Sequence, residues 1–509
     1  MLNPMLNPML NLSSAAKLIA AEHRGADVFF NAVSTDSRKI APGDLFVALH
    51  GENFDGRDFV TQAIAQGAVA AMVDRNQGSG IRNQASEDRR QRTEDRLNLP
   101  ADWDDVPLLV VSDTRLALGS LAAQWRKRFA ASRTEQTVST VDDSICLLSS
   151  VLCPLIAITG SNGKTTVKEM LAAILRVAAG QDSVLATSGN FNNDIGLPLT
   201  LLKLRDGHRY AVIEMGMNHP GEIAYLTDIA RPDVALITNA QLAHLAGLGT
   251  VEAVARAKGE IFQGLAADGT AVINADDPHV GLWRELAGAR RVLTFGLDAT
   301  VNVTAAYELH PGGCKLSVTT PKGRFDVALQ AAGAHNVRNA LTATAAATAL
   351  GVEIEAIAQG LAAFSPVQGR LQAKPGLHGA TLIDDTYNAN PGSVRAAIDA
   401  LAAYLGSTVI VLGDMGELGA DAPRLHREIG AYAKQAGITR LLALGEASRE
   451  TATGFGLGGR HFEYVEDLLH ELENLLAPQV TVLVKGSRFM KMERVVKCLV
   501  IGESVMGNE

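Results

Sequence analysis

The stretch that decides the fold of this 509-residue chain is AITGSNGKTTVKEM, residues 157–170. An apolar run ends in a turn with two glycines, and a predicted helix opens with a lysine and two threonines. Glycines let backbone N–H groups approach a ligand closely, and a helix N-terminus adds positive potential. Lys164 supplies a cation for phosphate groups, and Thr165 offers a hydroxyl to Mg²⁺. The stretch therefore predicts a strand, a loop that binds a nucleoside triphosphate, and a helix. The residues expected at the phosphates are Thr159, Gly160, Ser161, Asn162, Gly163, Lys164, Thr165 and Thr166.

The loop has the shorter G-x-x-G-K-T-T form. Ile158 stands where the widely used phosphate-loop pattern has its first glycine. A chance glycine-rich turn between a strand and a helix is therefore the alternative that the pattern alone leaves open.

Composition limits the class of protein. The length predicts two or three domains. A hydrophobic content of 47%, a charged content of 20% and a net charge of −9 are typical of a soluble globular enzyme. Because there is no basic surplus, we expect no nucleic-acid partner. Cys146, Cys153, Cys314 and Cys498 form no C-x-x-C pair, which indicates reduced thiols in a cytosolic protein and neither disulfides nor a zinc site.

The N-terminus carries a repeated MLNP and no signal-peptide pattern. No apolar run is long enough for a membrane span. The amphipathic pattern begins near Leu12, so residues 1–8 are expected to be a disordered extension. Met1, Met5 and Met9 are all candidate translation starts.

Apolar strands alternate with helical segments from about residue 154 onward. This alternation predicts an α/β fold with a mainly parallel, doubly wound sheet in the centre and a second, Rossmann-like sheet towards the C-terminus. The domains are expected at 1–150, 151–366 and 367–509. The first should contain a polar insertion at about 76–104 and a linker at about 131–150.

Three further residues fit the chemistry of a triphosphate site. Glu214 closes an apolar strand and could bind Mg²⁺, although a solvated strand-end acid is the alternative. His244 lies in an apolar loop, where a packed histidine is as plausible as a metal ligand. Lys258 follows on an amphipathic helix and would by itself be an ordinary surface lysine.

These motifs together resemble the Mur ligase family, the ATP-dependent amide-bond-forming enzymes of bacterial peptidoglycan synthesis. The resemblance covers nearly the whole chain from about Met9. It implies three domains: one for a UDP-sugar, a central ATPase domain and a C-terminal Rossmann-like domain. The segments that carry it are STDSRKIAPGDLFVALHGENFDGRDF, TGSNGKTTVKE, GNFNNDIGLP, EMGMNHPGEI, AKGEIF, GAHNVRNALTA, DDTYNANPGS, VLGDMGELG and VKGSR.

The resemblance also implies roles in the nucleotide site. Lys164, His244 and Lys258 would be catalytic, Thr165 and Glu214 would hold one Mg²⁺, and His244 and Lys258 a second. Lys258 occupies the position where relatives carry a lysine carbamate. Further nucleotide contacts would come from Asn336, Asn339, Arg370 and Asp385, although Arg370 alone would be interpreted as a surface cation of a linker.

Substrate contacts are implied at both ends of the chain. In the first domain they are Ser34, Asp36, Ser37, Arg38, Asn53 and Asp55, although STDSR is also a plausible polar turn. In the third domain they are Asn388, Asn390, Lys485 and Arg488. Lys485 and Arg488 could bind the carboxylate of an incoming dipeptide or form interdomain ion pairs.

The implied activity is the ATP-dependent joining of D-alanyl-D-alanine to UDP-N-acetylmuramoyl-tripeptide through an acyl phosphate, in a cytosolic monomer. A sister ligase that adds a diamino acid to the UDP-dipeptide is the nearest alternative. A folylpolyglutamate synthase-like enzyme and a non-catalytic, nucleotide-dependent regulatory protein are more distant ones. The residues do not say whether the tripeptide ends in lysine or diaminopimelate.

Overall fold

The computed structural model describes residues 8–51, 54–75, 103–138, 153–242, 245–298 and 300–501. The described chain forms two compact units. The first contains the residues up to 138 together with 187–206 and 228–230, and the second contains the remainder. Residues 1–7 of the expected N-terminal extension lie outside the described residues. So does most of the polar insertion, residues 76–102.

The first unit is built on a five-stranded sheet in the order β2-β7-β6-β5-β4, in which only β2 runs antiparallel to its neighbour. A separate antiparallel pair joins β1 to β3. The elements are β1 Leu10–Asn11, α1 Leu12–Ile19, β2 Glu22–Arg24, β3 Phe29–Phe30, β4 Ala32–Ser34, β5 Asp44–Val47, α2 Val60–Ala65, β6 Ala70–Asp74, β7 Leu108–Val111 and α3 Thr114–Val138.

Two boundaries in the first unit differ from expectation. Trp103, placed at the end of the polar insertion, is buried in the core and donates from Nε1 to Thr61 Oγ1 at 3.2 Å. Helix α3 continues to Val138, into the segment expected to be a linker from 131. That segment, ASRTEQTV, has no proline or glycine to end a helix. The rest of the expected linker, 139–150, is not described.

The central part of the second unit is a six-stranded, wholly parallel sheet in the order β13-β12-β11-β8-β10-β9. Its elements are β8 Leu155–Thr159, α4 Lys164–Ala179, β9 Val184–Ala186, α5 Gly196–Leu201 (which lies in the first unit), β10 Tyr210–Glu214, α6 Glu222–Ala230, β11 Val234–Ile237, α7 Leu245–Leu248, α8 Val251–Gly259, β12 Thr270–Asn274, α9 Val280–Ala287 and β13 Arg291–Phe295.

Strand β8 occupies the point where the direction of strand addition reverses. The chain adds β10 and β9 on one side of β8, and β11, β12 and β13 on the other. Such a switch point opens a crevice at the carboxyl ends of the strands, where α/β proteins bind ligands. The fold therefore brings the residues after β8, β10 and β11 together.

An antiparallel sheet of three strands follows, which the alternation of strands and helices in the sequence does not predict. Its strands are β14 Thr304–His310, β15 Gly313–Thr320 and β16 Gly323–Leu329, and they are followed by helices α10 Ala334–Ala349 and α11 Ile354–Ala363. Strand β15 buries alternate residues in the central core, among them Cys314, Leu316 and Val318.

The C-terminal part of the second unit is a six-stranded sheet in the order β17-β18-β22-β19-β20-β21, parallel except for β17. Apolar clusters cover both of its faces. Its elements are β17 Gln372–Pro375, β18 Thr381–Asp385, α12 Pro391–Ala402, β19 Ser407–Gly413, α13 Ala422–Gln435, β20 Arg440–Leu444, α14 Arg449–Phe455, β21 Gly459–Phe462, α15 Val465–Glu473, β22 Val480–Lys485 and α16 Glu493–Leu499.

The predicted fold class, α/β with a central parallel sheet and a Rossmann-like C-terminal sheet, is confirmed. Among the described residues, Cys153, Cys314 and Cys498 form no disulfide bond. Among the described helices, none combines the length and the apolar character that crossing a bilayer requires.

Candidate functional site

The loop between β8 and α4 depends on two glycines. Gly160 and Gly163 have φ values of +150° and +84°, which residues with a side chain rarely adopt. A Cβ atom at Gly160 would overlap Thr238 Oγ1, and one at Gly163 would overlap Asn339 Oδ1. Both glycines are therefore required by the backbone conformation and by the close approach of neighbouring segments.

A pair of glycine variants separates these two requirements. Gly221 has a φ of +86° and open space around its Cβ position, whereas Gly163 has the same φ and no space. We expect Gly221→Ala to cost about 1–2 kcal/mol of unfolding free energy without changing the KM for ATP. Gly163→Ala should cost more unfolding free energy, because its Cβ displaces Asn339. It should also raise the KM for ATP about tenfold or more, since a loss of only ~1.4 kcal/mol of binding free energy is a tenfold change. Urea unfolding and steady-state kinetics measure both, and equal ATP KM values in the two variants would contradict this role.

The residues after β11 hold the phosphate loop from the side. Ser161 N donates to Asn239 O at 2.9 Å, and Asn162 N donates to Asn239 Oδ1 at 3.0 Å. Thr238 Oγ1 donates to Asn162 O at 2.6 Å, and Gln241 N donates to Ser161 Oγ at 3.0 Å. The loop is thus fixed before a ligand binds, which reduces the ordering cost of binding.

The amine of Lys164 is turned back onto its own loop. It donates to Gly160 O at 2.7 Å and to Ser161 O at 3.4 Å. Burial lowers the pKa of Lys164, Glu214 raises it, and Arg370 lowers it further. A phosphate group would add negative charge beside this amine and favour its protonated form.

Thr165 joins the loop to both predicted partners. Its hydroxyl donates to Glu214 Oε2 at 2.8 Å and accepts from Arg370 Nη2 at 2.9 Å. Glu214 is only 3% exposed, so it is not a solvated strand-end acid. Arg370 reaches from the segment between α11 and β17 into the loop, so it is not a surface cation either.

The hydroxyl of Thr165 and the carboxylate of Glu214 are hard oxygen donors of the kind that Mg²⁺ prefers. Within the described ranges, no group of three or more His, Cys, Asp or Glu side chains could hold a metal ion by itself. The remaining positions around an ion would therefore fall to phosphate oxygens and water, as is usual for nucleotide-bound Mg²⁺.

Lys258 is buried in α8 and is only 1% exposed, so the alternative of an ordinary surface lysine does not apply. Burial, and to a smaller extent the charge of Lys164, lower the pKa of Lys258 well below its usual value. A lowered pKa favours the neutral, nucleophilic form of a lysine amine. His244 lies outside the described residues, so its metal-binding role stays a prediction.

The two predicted asparagines of α10 lie beside the loop. Asn339 Nδ2 donates to Asn336 Oδ1 at 3.0 Å, and Asn336 Nδ2 donates to Ala332 O at 2.8 Å.

Two threonines lie at the ends of the loop. Thr159 Oγ1 donates to Met215 O at 3.0 Å, so this hydroxyl joins the ends of β8 and β10. Thr166 is buried in the first turn of α4.

The predicted residues of the C-terminal sheet form contacts with one another. Lys485 Nζ donates to Asp385 Oδ2 at 2.6 Å and to Asn388 O at 2.9 Å. Burial raises the pKa of Asp385, and the neighbouring Lys485 and Arg370 oppose that rise. Asn390 caps α12 by accepting from Ser393 N. Lys485 thus has a buried ion pair within its own sheet, and its binding to a substrate carboxylate stays a prediction.

Asn390 also contacts the phosphate loop. Its Nδ2 donates to Asn162 Oδ1 at 2.8 Å, and Asn162 Nδ2 donates in return to Asn390 Oδ1 at 3.3 Å. Arg488, by contrast, is exposed and bonds Glu493 at 3.2 Å. The structure therefore brings Asn390, but not Arg488, into contact with the predicted nucleotide site.

The candidates of the first unit form local polar turns. Asp36 accepts from Arg38 N at 3.1 Å and from Arg38 Nε at 2.8 Å, and Ser37 Oγ donates to Gln62 Oε1 at 3.2 Å. The remaining candidates are placed as follows: Ser34 Oγ donates to Asp36 O, Asp55 accepts from Arg57 N, and Asn53 lies outside the described residues.

A histidine at the start of α10 makes stability depend on pH. Burial and the charges of Lys485 and Arg338 lower the pKa of His335 from 6.5 to about 4. Between these values the unfolded chain binds a proton that the folded chain does not, so stability falls as the pH decreases. From pH 8 to pH 5 the loss attributable to His335 is at most about 2 kcal/mol.

Measuring the unfolding free energy of the wild type and of His335→Gln at pH 8 and pH 5 isolates the contribution of His335 to the pH dependence. At pH 8 the histidine is neutral in both states, so the difference there reports only packing. We expect the variant to lose less stability between the two pH values. An identical loss in both proteins would contradict the effect of burial on His335.

Several site residues are not predicted from the sequence. Asn239 and Gln241 both accept hydrogen bonds from Asn162 of the loop. They belong to the segment NAQLAH, in which the sequence predicts a functional role only for the histidine. Glu417, at a φ of +63° in the motif VLGDMGELG, raises the pKa of Lys164 by its charge. Tyr387 stacks on Arg370. Glu417 lies in the motif VLGDMGELG at the end of strand β19, and Tyr387 lies in DDTYNANPGS at the end of strand β18. These positions are the sequence signal that could identify the two residues.

A parallel sheet with a phosphate loop at its switch point defines a nucleotide-binding α/β protein of the P-loop class. Residues 30–126 match the Mur ligase family, catalytic domain. Residues 158–347 match the Mur ligase middle domain, and 369–488 match the Mur ligase, glutamate ligase domain. The chain belongs to the Mur ligase family.

Individual relatives match over nearly their whole length. The UDP-N-acetylmuramoyl-tripeptide–D-alanyl-D-alanine ligase of Escherichia coli (strain K12) is 42% identical over 494 residues, which are 96% of this chain and 98% of that protein. The crystal structure of MurF from Acinetobacter baumannii has a TM-score of 0.82 at 35% identity and covers 96% of this chain and 98% of its own. MurF from Thermotoga maritima, solved in complex with ADP, has a TM-score of 0.71 at 26% identity, with coverage of 92% and 96%.

Proposed function

We propose that this enzyme uses ATP to join D-alanyl-D-alanine to UDP-N-acetylmuramoyl-tripeptide, with ADP and phosphate as the other products. The observation that carries the proposal is the full-length similarity to a ligase of that name, at 42% identity. The phosphate loop with its Thr165–Glu214 contact supports the use of ATP. The pentapeptide product would serve peptidoglycan synthesis, and through it cell shape and division.

In the first step, a carboxylate oxygen of the tripeptide attacks the γ-phosphorus of ATP. A new O–P bond forms, the bond to the β-phosphate oxygen breaks, and ADP leaves with its electrons. No protein nucleophile is needed, so the contribution of the chain is positioning and charge neutralisation. Lys164 of the loop and Arg370, which contacts Thr165 from outside the loop, are the cations available for this purpose, and Asn339 bonds Asn336 beside the loop.

In the second step, the free amine of the dipeptide attacks the acyl carbon. A C–N bond forms, the acyl C–O bond to phosphate breaks, and the amine loses its extra proton. The acyl phosphate must be protected from water until then, and groups supplied by distinct segments suit a site that closes over its substrates. The contacts of Asn162 with Asn390 and of Thr165 with Arg370 join the loop to residues near and within the C-terminal sheet.

Thr165 and Glu214 would hold Mg²⁺, which neutralises charge on the transferred phosphoryl group when bound. Lys258 is proposed to carry a carbamate. In its neutral form the amine adds to the carbon of CO₂, a C–N bond forms, the nitrogen releases a proton, and the side chain becomes an anion. This anion, with His244, would suit a second Mg²⁺.

The carbamate is tested by incubating the protein with ¹³C-bicarbonate and recording ¹³C NMR spectra. A protein-bound carbamate signal is expected in the wild type and absent in Lys258→Met. Lys168→Arg is the control, because Lys168 is equally buried but has an ion pair with Glu169 at 2.6 Å. A wild-type spectrum without the signal at saturating bicarbonate would overturn the assignment.

The proposed substrates are tested by following phosphate release and product mass with ATP and Mg²⁺. UDP-N-acetylmuramoyl-tripeptide with D-alanyl-D-alanine is compared with the UDP-dipeptide and free diamino acids. Turnover with the first pair alone, giving a pentapeptide, is expected. Turnover with the second pair would make the chain a sister ligase, and no turnover with either would contradict the proposed substrates. Tripeptides ending in lysine and in diaminopimelate should both be tried.

We further propose that the enzyme acts as a monomer in the cytosol. One chain supplies the loop, Glu214 and Arg370, so the described part of the site does not require a second copy. Cys153 and Cys314 are buried and not joined in a disulfide, which suits a reducing compartment. The domain roles follow the family: a UDP-sugar domain at 1–150, an ATPase domain at 151–366 and a dipeptide-binding domain at 367–509.

A further inference from the structure

Arg370 reaches the nucleotide site through a side chain that has few polar anchors. Its Nη2 donates to Thr165 Oγ1 at 2.9 Å. Its Nε is buried and has no hydrogen-bond partner among the residues that the structure describes. A single hydrogen bond to a rotatable hydroxyl does not fix the direction of a guanidinium, so another contact must orient it.

That contact is the ring of Tyr387. The guanidinium carbon of Arg370 lies 4.2 Å from the ring centroid, within the distance at which a cation is attracted by an aromatic face. A planar guanidinium also stacks on a ring in a way that an ammonium does not. The ring therefore restricts the guanidinium while leaving its edge N–H groups available for phosphate oxygens.

The backbone on both sides of Arg370 is held by the same segment that carries Tyr387. Tyr387 N donates to Gly369 O at 3.1 Å, and Leu371 N donates to Asp385 Oδ1 at 3.2 Å. Gly369 lies at a φ of +72°, and a Cβ there would approach Tyr387 N to 3.3 Å. Backbone and side chain of Arg370 are thus both positioned by residues 385–387, at the carboxyl end of strand β18.

We propose that Tyr387 is a positioning residue that directs Arg370 towards the triphosphate of ATP. The inference rests on the proposed function, because it assumes that ATP occupies the loop beside Thr165. It adds to that function a mechanical link: the segment leading to Asn388 and Asn390, where the dipeptide is expected, also directs a cation into the nucleotide site.

The test compares Tyr387→Phe, which keeps an aromatic face, with Tyr387→Leu, which keeps only apolar volume. Affinity for a non-hydrolysable ATP analogue is measured by equilibrium titration, and kcat/KM for ATP by steady-state kinetics. Tyr387→Phe should resemble the wild type. Tyr387→Leu should weaken both quantities by about 2- to 30-fold, the range that a cation–π contact supplies. The KM values for the UDP-tripeptide and the dipeptide should not change.

Two controls separate positioning from general stability. Arg395 of α12 stacks on Tyr432 of α13 at 4.5 Å, so Tyr432→Leu removes a similar contact between these two helices and should leave analogue binding unchanged. In an Arg370→Ala background, Tyr387→Leu should have no further effect, because the group that it positions is absent. Tyr387→Met replaces Tyr387→Leu if the latter does not fold.

Unchanged analogue binding in Tyr387→Leu, or an equal loss in the Arg370→Ala background, would overturn the inference. Failure of the proposed function gives a different result. In that case the wild type forms no pentapeptide, while the titration with the ATP analogue still reports whether Tyr387 acts through Arg370.

Discussion

Replacing Lys164 with alanine is expected to lower kcat by at least about 10²–10³-fold, the loss typical of removing one preorganised group that stabilises developing charge. Lys164 is the cation of the loop, and its amine donates to Gly160 O at 2.7 Å. Helix α4 begins at this lysine, and Thr165 and Thr166 follow it. Without it, the charge that shifts onto the β-phosphate oxygens during transfer has lost a neutralising partner. Affinity for the UDP-linked tripeptide, measured by titration, should stay close to that of the wild type, because the UDP-sugar is proposed to bind to the first domain.

A matched lysine provides the control. Lys322 also donates to a backbone carbonyl, Gly351 O, at 2.7 Å, but it belongs to the antiparallel sheet region and pairs with Glu353. Lys322→Ala should retain wild-type turnover. Near-normal turnover by Lys164→Ala, in a preparation that unfolds cooperatively, would remove the basis for assigning the phosphate loop.

The second large effect is expected at Lys258. If its carbamate is required, both Lys258→Met and Lys258→Arg should lose about 10²-fold or more in kcat, because neither can place an anion beside a metal ion. Lys258→Arg is the informative variant, since it places a permanent positive charge in the same buried position and cannot form the carbamate. Adding acetate or propionate to Lys258→Ala should restore part of the activity by supplying a carboxylate to the vacated space.

The same series distinguishes a structural role. Full activity in Lys258→Arg would show that a cation suffices and that the carbamate is not needed. A loss in Lys258→Ala that small carboxylates do not relieve, together with a lower unfolding free energy, would indicate that the buried side chain matters through packing alone.

The sequence predicts well what is local in this fold. Strand β8, the loop and α4 are contiguous, and their glycines, lysine and threonines specify the turn directly. Glu214 could be predicted as a partner because parallel strands place their carboxyl ends at one edge of a sheet. The Thr165–Glu214 contact at 2.8 Å follows from that rule.

Long-range contacts could not be predicted in the same way. Asn239 and Asn162 are 77 residues apart in the chain, and Asn390 is 228 residues from Asn162. Nothing in either local pattern says that these amides meet. The charged neighbours of Trp103 predict that it belongs to a polar insertion. In the structure its large apolar side chain packs in the core and fixes the end of that segment there.

Buried charge is the other feature that local pattern obscures. Lys258 on an amphipathic helix and Lys485 at the end of a strand resemble surface residues by type, and both are at most 3% exposed. Their surroundings are set by packing between elements, which also determines that Lys485 pairs with Asp385 while Lys258 has a strongly lowered pKa.

The central claim is that the loop at 159–166 uses ATP to convert the substrate carboxylate into an acyl phosphate. It is tested most directly by labelling that carboxylate with ¹⁸O and running one complete ligation with ATP and D-alanyl-D-alanine. We expect one ¹⁸O atom to leave with the released inorganic phosphate and the other to remain in the new amide. Label found in AMP, or unlabelled phosphate alongside product, would contradict it.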